Sequence, residues 1–184
     1  MITYSLRKLE KKDLELVLSW RNRDTIRHYM FNDKKISWQE HIAWFEKLQS
    51  SKDRDYQLFC IADRPIGIVS LSGIDEHDKK QCIWGFYVGD AAVPKGSGLL
   101  LGYYGIEYAF NNYKIDKILS EVINFNVSSL NFHKKLFFKE IGSLPKKILR
   151  DGEFFDISIF DLEKKIWQAN KDEIYKIIQE RLKR

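Results

Sequence analysis

Between residues 81 and 110 lies a stretch whose residue types and spacing could hold a ligand. A β-rich run, Gln81-Cys82-Ile83-Trp84-Gly85-Phe86-Tyr87-Val88, leads to the turn Lys95-Gly96-Ser97-Gly98, and a strongly apolar run follows. Backbone N–H groups at a helix start can point at an anion, and glycines let that anion come close. A strand, turn and helix in this order therefore suit a pyrophosphate. The same glycines could equally make a plain strand-to-helix junction, because glycine is the default residue of tight turns. The elements that surround the turn have to decide.

Those elements can be read from periodicity. Residues 2–8 alternate apolar and polar and predict a first strand; Leu14, Val17, Leu18 and Trp20 then recur at helical spacing. Residues 23–33, with Tyr29, Met30 and Phe31, show no clear period and predict a short helix or loop. Ser37 and Glu40 have capping-box spacing, so a second helix should start there and end near Ser51, with Ile42, Trp44, Phe45 and Leu48 inward and His41 one turn before Phe45. Residues 56–62 and 66–71 predict a hairpin through Asp63-Arg64-Pro65, the proline supplying turn geometry. The polar run 75–80 then leads into the strand over 81–88, which continues an antiparallel meander.

Beyond the glycine turn the pattern changes. Residues 98–110 are apolar almost all round, as a crossover helix against a sheet should be, and 117–123 predict the next strand. Strand, helix and strand in succession make a parallel pair, so the sheet should switch from antiparallel to mixed here. A helix over 127–136 follows, then a strand starting at 138 and another over 154–160, joined by the turn Arg150-Asp151-Gly152-Glu153. From Leu162 onward Ile166, Trp167, Ile174, Ile177, Ile178 and Leu182 predict a long amphipathic helix.

Composition narrows the class. A chain of 184 residues suits one domain with a sizeable core, and 44% hydrophobic with 14% aromatic residues excludes disorder. The net charge of +5 favours anionic ligands, but the lysines are scattered among acids, so no nucleic-acid partner is expected. Cys60 and Cys82 lie in apolar runs without neighbours at zinc-ligand spacing; they read as buried thiols, with no metal expected. Met1 to Arg7 lacks the basic start and apolar block of a signal peptide, and no segment reaches membrane-spanning length, so a cytoplasmic protein without a membrane partner is expected.

The order of elements resembles the GCN5-related N-acetyltransferase (GNAT) fold over residues 2–161, with 162–184 as a C-terminal helical extension. The expected architecture is a mixed, mostly antiparallel twisted sheet of seven strands flanked by helices. Four local segments carry the resemblance. Val93-Pro94-Lys95-Gly96-Ser97-Gly98 is similar to the family's Gln/Arg-x-x-Gly-x-Gly/Ala turn, with Val93 in place of the polar first residue. Arg64-Pro65-Ile66-Gly67-Ile68 looks like its Pro-Ile-Gly strand opening. The segment from Asn126 to Phe138 resembles its Asn-x-x-Ala-x-x-Leu-Tyr-x-x-x-Gly-Phe pattern, with Ser129, His133 and Phe137 replacing Ala, Tyr and Gly. Trp20-Arg21-Asn22 looks like the acceptor-side signature of members acting on ribosomal proteins and amino-sugar nucleotides.

The resemblance implies direct acetyl transfer from acetyl-CoA to a primary amine in a ternary complex. Phe86, Tyr87, Val88, Lys95, Gly96, Ser97, Gly98, Leu99 and Asn126 would hold the cofactor. His133, in place of the family's tyrosine, would donate a proton or hydrogen bond to the thiolate; Glu121 would accept the amine's proton through water. Within the family, Trp20-Arg21-Asn22 followed by Met30, and Ile36 to His41 opening the second helix, are most similar to the branch that acetylates the 4-amino group of UDP-linked 4-amino-4,6-dideoxy sugars in pseudaminic acid biosynthesis. Such an acceptor wants Arg for its diphosphate and aromatic faces for its base, which points to Arg21, Asn22, Tyr29, Met30, His41, Trp44, Ser70 and Trp84. A ribosomal-protein or polyamine acetyltransferase and a non-catalytic acyl-CoA sensor are the competing readings, and a homodimer is among the assemblies allowed. A polyamine site should be acidic.

Overall fold

The computed structural model describes residues 2–74 and 80–182. In chain order the elements are β1 (Tyr4–Lys8), a 3-10 turn (Lys11–Asp13), α1 (Leu14–Arg21), α2 (Asp24–Arg27), α3 (Trp38–Ser50), β2 (Arg54–Ile61), β3 (Arg64–Ser72) and β4 (Gln81–Val88). Then come α4 (Ser97–Asn112), β5 (Lys117–Ile123), α5 (Val127–Lys135), β6 (Lys139–Arg150), β7 (Glu153–Glu163) and α6 (Lys164–Leu182). The strands form one seven-stranded sheet in the order β1-β2-β3-β4-β5-β7-β6. Every neighbouring pair is antiparallel except β4 with β5, which run parallel on either side of the crossover helix α4.

Local chemistry explains several of these boundaries. Ser37 and Glu40 form the expected capping box: the Ser37 backbone N–H donates to Glu40 Oε2 at 2.7 Å, and Glu40 N–H donates to Ser37 Oγ at 3.3 Å. The β2–β3 hairpin differs from the expectation. Ile61 pairs with Arg64, so the turn is Ala62-Asp63, both in the left-handed region at φ 48° and 64°. That two-residue geometry matches the twist of the flanking strands. Pro65 instead lies inside β3 opposite Cys60, at a register shift where its missing N–H breaks no regular ladder. The β6–β7 turn falls where expected, with Arg150 paired to Glu153 and positive φ at Asp151 and Gly152.

Helices cover both faces of the sheet. On one face Leu100, Leu101, Ile106 and Ala109 of α4 are fully buried against Val69, Cys82, Ile118 and Phe160. The terminal helix joins the same core through Trp167, Ile174 and Ile178, and the Trp167 indole N–H donates to Glu107 of α4 at 2.6 Å. On the other face Leu14, Val17, Trp20, Phe45 and Leu48 cover Leu58, Cys60 and Ile68. Cys60 and Cys82 are free and buried in these separate clusters, and burial pushes the Cys82 thiol up to about 12. Among the described residues no helix is long and apolar enough to cross a membrane.

Candidate active site

The parallel pairing of β4 with β5 covers only Gln81, Cys82 and Ile83 against Lys117, Ile118 and Leu119. Past that point the strands separate while each stays paired on its outer edge, β4 with β3 and β5 with β7. The inner edges of residues 84–88 and 120–123 therefore face each other across a cleft of about 810 Å³. Backbone groups on such a released edge are donors and acceptors that an extended ligand can meet as another strand would.

At one end of this cleft stands the glycine turn. Gly96 is the N-cap of α4 with φ 95°, a conformation glycine adopts at little cost, and Ser97 Oγ donates to the Pro94 carbonyl at 2.8 Å. The first turn of α4 carries no acidic residue, so its leading N–H groups and the exposed Lys95 side chain present only positive potential. A methyl group on Gly96 would come 3.2 Å from Arg181 Cβ, which puts the end of α6 against this turn. Gly98 lines the cleft and faces Val88, and Leu99 is buried behind it.

His133 projects from α5 to the cleft wall but is only 1% exposed. Its Nδ1 lies 2.7 Å from the Ser129 carbonyl, which can only accept, so the proton belongs on Nδ1. Nε2 is then the acceptor for the Ser120 hydroxyl at 2.7 Å. Phe160 stacks on the ring while Trp84, Phe138 and Phe132 meet it edge-on, and this burial lowers the histidine to about 4. Both ring nitrogens are thus engaged in a neutral imidazole. Ser120, itself buried, lines the cleft together with His133 and Ser129. Sequence reasoning passed over Ser120; its signal was a serine on the inward alternation of a strand otherwise filled by Ile118 and Val122.

Glu121, on the opposite face of β5 from Ser120, is half-buried and lines the cleft. Tyr29, Met30, Ser70, Phe86, Tyr87, Val88 and Asn126 line it too. Ser70 Oγ donates to the Gly85 carbonyl at 3.2 Å, and Asn126 Oδ1 caps α5 by accepting from Ser129 N–H at 3.1 Å. Phe86 packs on Phe132 with centroids 4.5 Å apart. Trp84 belongs to both core and cleft lining: it stacks on Phe138 and is 3% exposed, and its indole N–H is buried without a partner among the described residues. His41 and Trp44 stack on each other at 5.0 Å behind Tyr56 rather than on the cleft wall, and burial lowers His41.

The Trp20-Arg21-Asn22 tripeptide works as a clasp. Asn22 donates to and accepts from the Ile36 backbone, both at 2.8 Å, which closes the loop between α1 and α3. The Trp20 ring fills the space over Gly89, and Arg23 Nη1 donates to the Gly89 carbonyl at 2.6 Å. Arg21 Nη2 donates to the Asn32 carbonyl at 2.5 Å, while its Nη1 is buried without a partner among the described residues and burial lowers the guanidinium. Arg21, Asn22, His41 and Trp44 are therefore not brought to the cleft lining.

The comparisons agree with this architecture. The family model described as an acetyltransferase (GNAT) domain matches residues 4–139. The curated acetyltransferase PseH of Campylobacter jejuni is 29% identical over 133 residues, covering 71% of this chain and 80% of that protein. Among solved structures, spermidine N-acetyltransferase from Vibrio cholerae in complex with CoA and spermine superimposes with a TM-score of 0.83 at 20% identity, covering 90% of this chain and 98% of that one. The crystal structure of Campylobacter jejuni PseH superimposes with a TM-score of 0.65 at 21% identity, covering 88% and 98%.

Proposed function

The chain belongs to the acetyltransferase (GNAT) domain family and is an acetyl-CoA-dependent N-acetyltransferase, and we propose that its acceptor is the 4-amino group of a UDP-linked 4-amino-4,6-dideoxy sugar. One observation carries the choice of acceptor. Among the described residues lining the cleft, Glu121 is the single carboxylate. A polyamine carries several ammonium groups and would need several such partners, whereas an amino-sugar nucleotide brings one amine and an anionic diphosphate. The 29% identity to PseH supports the same acceptor class that the sequence resemblance implies.

In this reading pantetheine pairs with the released edge of β4 at Phe86, Tyr87 and Val88, and the amides of Gly96, Gly98 and Leu99 with Lys95 hold the pyrophosphate, the Ser97 N–H being engaged by the Pro94 carbonyl. Asn126, whose Oδ1 is engaged in capping, keeps its NH2 as a donor at the α5 end. A backbone N–H near Tyr87 or Val88 meets the thioester oxygen and stabilises the negative charge that develops there. The neutral amine attacks the thioester carbon, the C–N bond forms, and the C–S bond breaks. The amine's proton leaves by way of water to Glu121 and on to solvent, and the thiolate takes one proton back from solvent to leave as free CoA thiol. His133 acts through Ser120: the hydroxyl exchanges the neutral imidazole for the anionic sulfur, because a charged acceptor makes the stronger hydrogen bond.

The test is a thiol-release assay with acetyl-CoA, comparing the UDP-4-amino-4,6-dideoxy sugar with spermidine, and with UDP added as a competitor. Turnover of the sugar nucleotide with inhibition by UDP is expected. Turnover of spermidine that UDP leaves unaffected overturns the assignment.

A further inference from the structure

We propose that Arg150, at the tip of the β6–β7 hairpin, is a positioning residue of the acceptor site that clamps the loop 28–33 against the cleft. Hairpin tips are normally solvated, yet Arg150 is 7% exposed. Its guanidinium reaches a residue 120 positions away in sequence: Nη2 donates to the Met30 carbonyl at 2.5 Å, and Nη1 pairs with Asp33 Oδ1 at 3.0 Å. The segment it grips supplies Tyr29, Met30 and Phe31 to the cleft wall. This segment is outside any helix or strand: turn bonds from the Tyr29 and Met30 N–H groups to the Ile26 and Arg27 carbonyls tie its start to α2, while residues 31–33 lean on side chains from elsewhere.

Two further guanidinium groups complete the grip. Arg21 donates to the Asn32 carbonyl at 2.5 Å and Arg27 Nη1 to the Asp33 carbonyl at 2.7 Å. Those two arginines are near neighbours of the loop in sequence; Arg150 ties it to the far half of the sheet by hydrogen bond and ion pair, beside the packing of His28 and Tyr29 on Phe125. A planar guanidinium can serve a carbonyl and a carboxylate at once, which a lysine ammonium does with less geometric definition. Met30 is held by its backbone, and its side chain packs on the α1/α3 cluster while contributing to the cleft lining. The clamp concerns the acceptor wall and not the glycine turn, so the two substrates should feel its loss differently. Its link to a sugar nucleotide rests on the proposed function; the clamp itself does not.

Arg150→Met and the milder Arg150→Lys and Asp33→Asn separate these points. In Arg150→Met, amide hydrogen exchange in residues 28–34 is expected to rise while α4 and β2 keep the wild-type rates. By titration calorimetry, UDP should bind about tenfold more weakly and acetyl-CoA with unchanged affinity. Arg150→Lys and Asp33→Asn should fall between wild type and Arg150→Met, and they carry the test if Arg150→Met does not fold. Wild-type exchange at 28–34 in the variants, or equal loss for UDP and acetyl-CoA, overturns the clamp. If UDP does not bind the wild type at all, the sugar-nucleotide reading falls while the exchange data still decide the clamp, and KM for spermidine replaces UDP as the acceptor readout.

Discussion

The Ser120 hydroxyl donates to Nε2 of His133 across 2.7 Å, and this bond defines the state of the imidazole. With Nδ1–H committed to the Ser129 carbonyl and Nε2 filled by Ser120, the ring is neutral, oriented and enclosed by aromatic side chains. A histidine in this position is the second member of a pair rather than an independent acid.

One consequence is a pH-dependent stability. Above the ordinary histidine value of 6.5 the ring is neutral in both folded and unfolded chains. Between there and about 4 the unfolded chain takes up a proton that the folded chain refuses, so stability falls as pH falls, by up to roughly 3 kcal/mol for this group. Urea midpoints at pH 7 and pH 5 should therefore differ more for wild type than for His133→Phe. Equal differences would mean that His133 is accessible to protons.

Ser120→Ala should lower kcat by about tenfold to a hundredfold if its hydroxyl meets the leaving sulfur, the loss expected for one hydrogen bond to a charged group. The dissociation constant for acetyl-CoA should change little, since the pyrophosphate contacts lie elsewhere. A wild-type kcat would remove Ser120 from the reaction.

Gly89 is a packing requirement rather than a turn. A Cβ there would fall 2.0 Å from Cδ2 of Trp20, a ring already buried, so Gly89→Ala must push α1 or the end of β4 aside. Destabilisation of roughly 1–3 kcal/mol is expected by chemical denaturation. An unchanged midpoint would show that Trp20 has room to move.

At the glycine turn, Gly96→Ala puts a side chain into a left-handed conformation at φ 95° and 3.2 Å from Arg181 Cβ. It should raise KM for acetyl-CoA while leaving KM for the amine near wild type, with a stability cost of about 1–2 kcal/mol. Lys95→Ala should weaken acetyl-CoA binding mainly at low salt, because an exposed charge is screened as ionic strength rises. If neither variant affects acetyl-CoA, the turn is a plain junction.

Local chemistry made much of this legible in advance. The bounds of β4 and β5 follow from their apolar runs, and the start of α3 from Ser37 and Glu40. The misplaced β2–β3 turn has a clear cause: Pro65 is a stronger turn signal than Ala62 or Asp63, yet the pairing of Ile61 with Arg64 decided where the chain reversed. Trp20-Arg21-Asn22 was visible as a motif, but nothing within a few residues of it shows that Trp20 meets Gly89 or that Asn22 holds Ile36.

The sequence by itself determined the order of the elements, the parallel switch at the crossover helix and the glycine turn that starts it, because alternation, helical period and capping act over a few residues. Only the tertiary structure decided that β4 and β5 part after three paired positions, that His133 is neutral behind Ser120, and that Arg150 reaches Met30 and Asp33. Those features depend on which distant segments share a space, and burial and charge pairing take their values from that space rather than from neighbours along the chain.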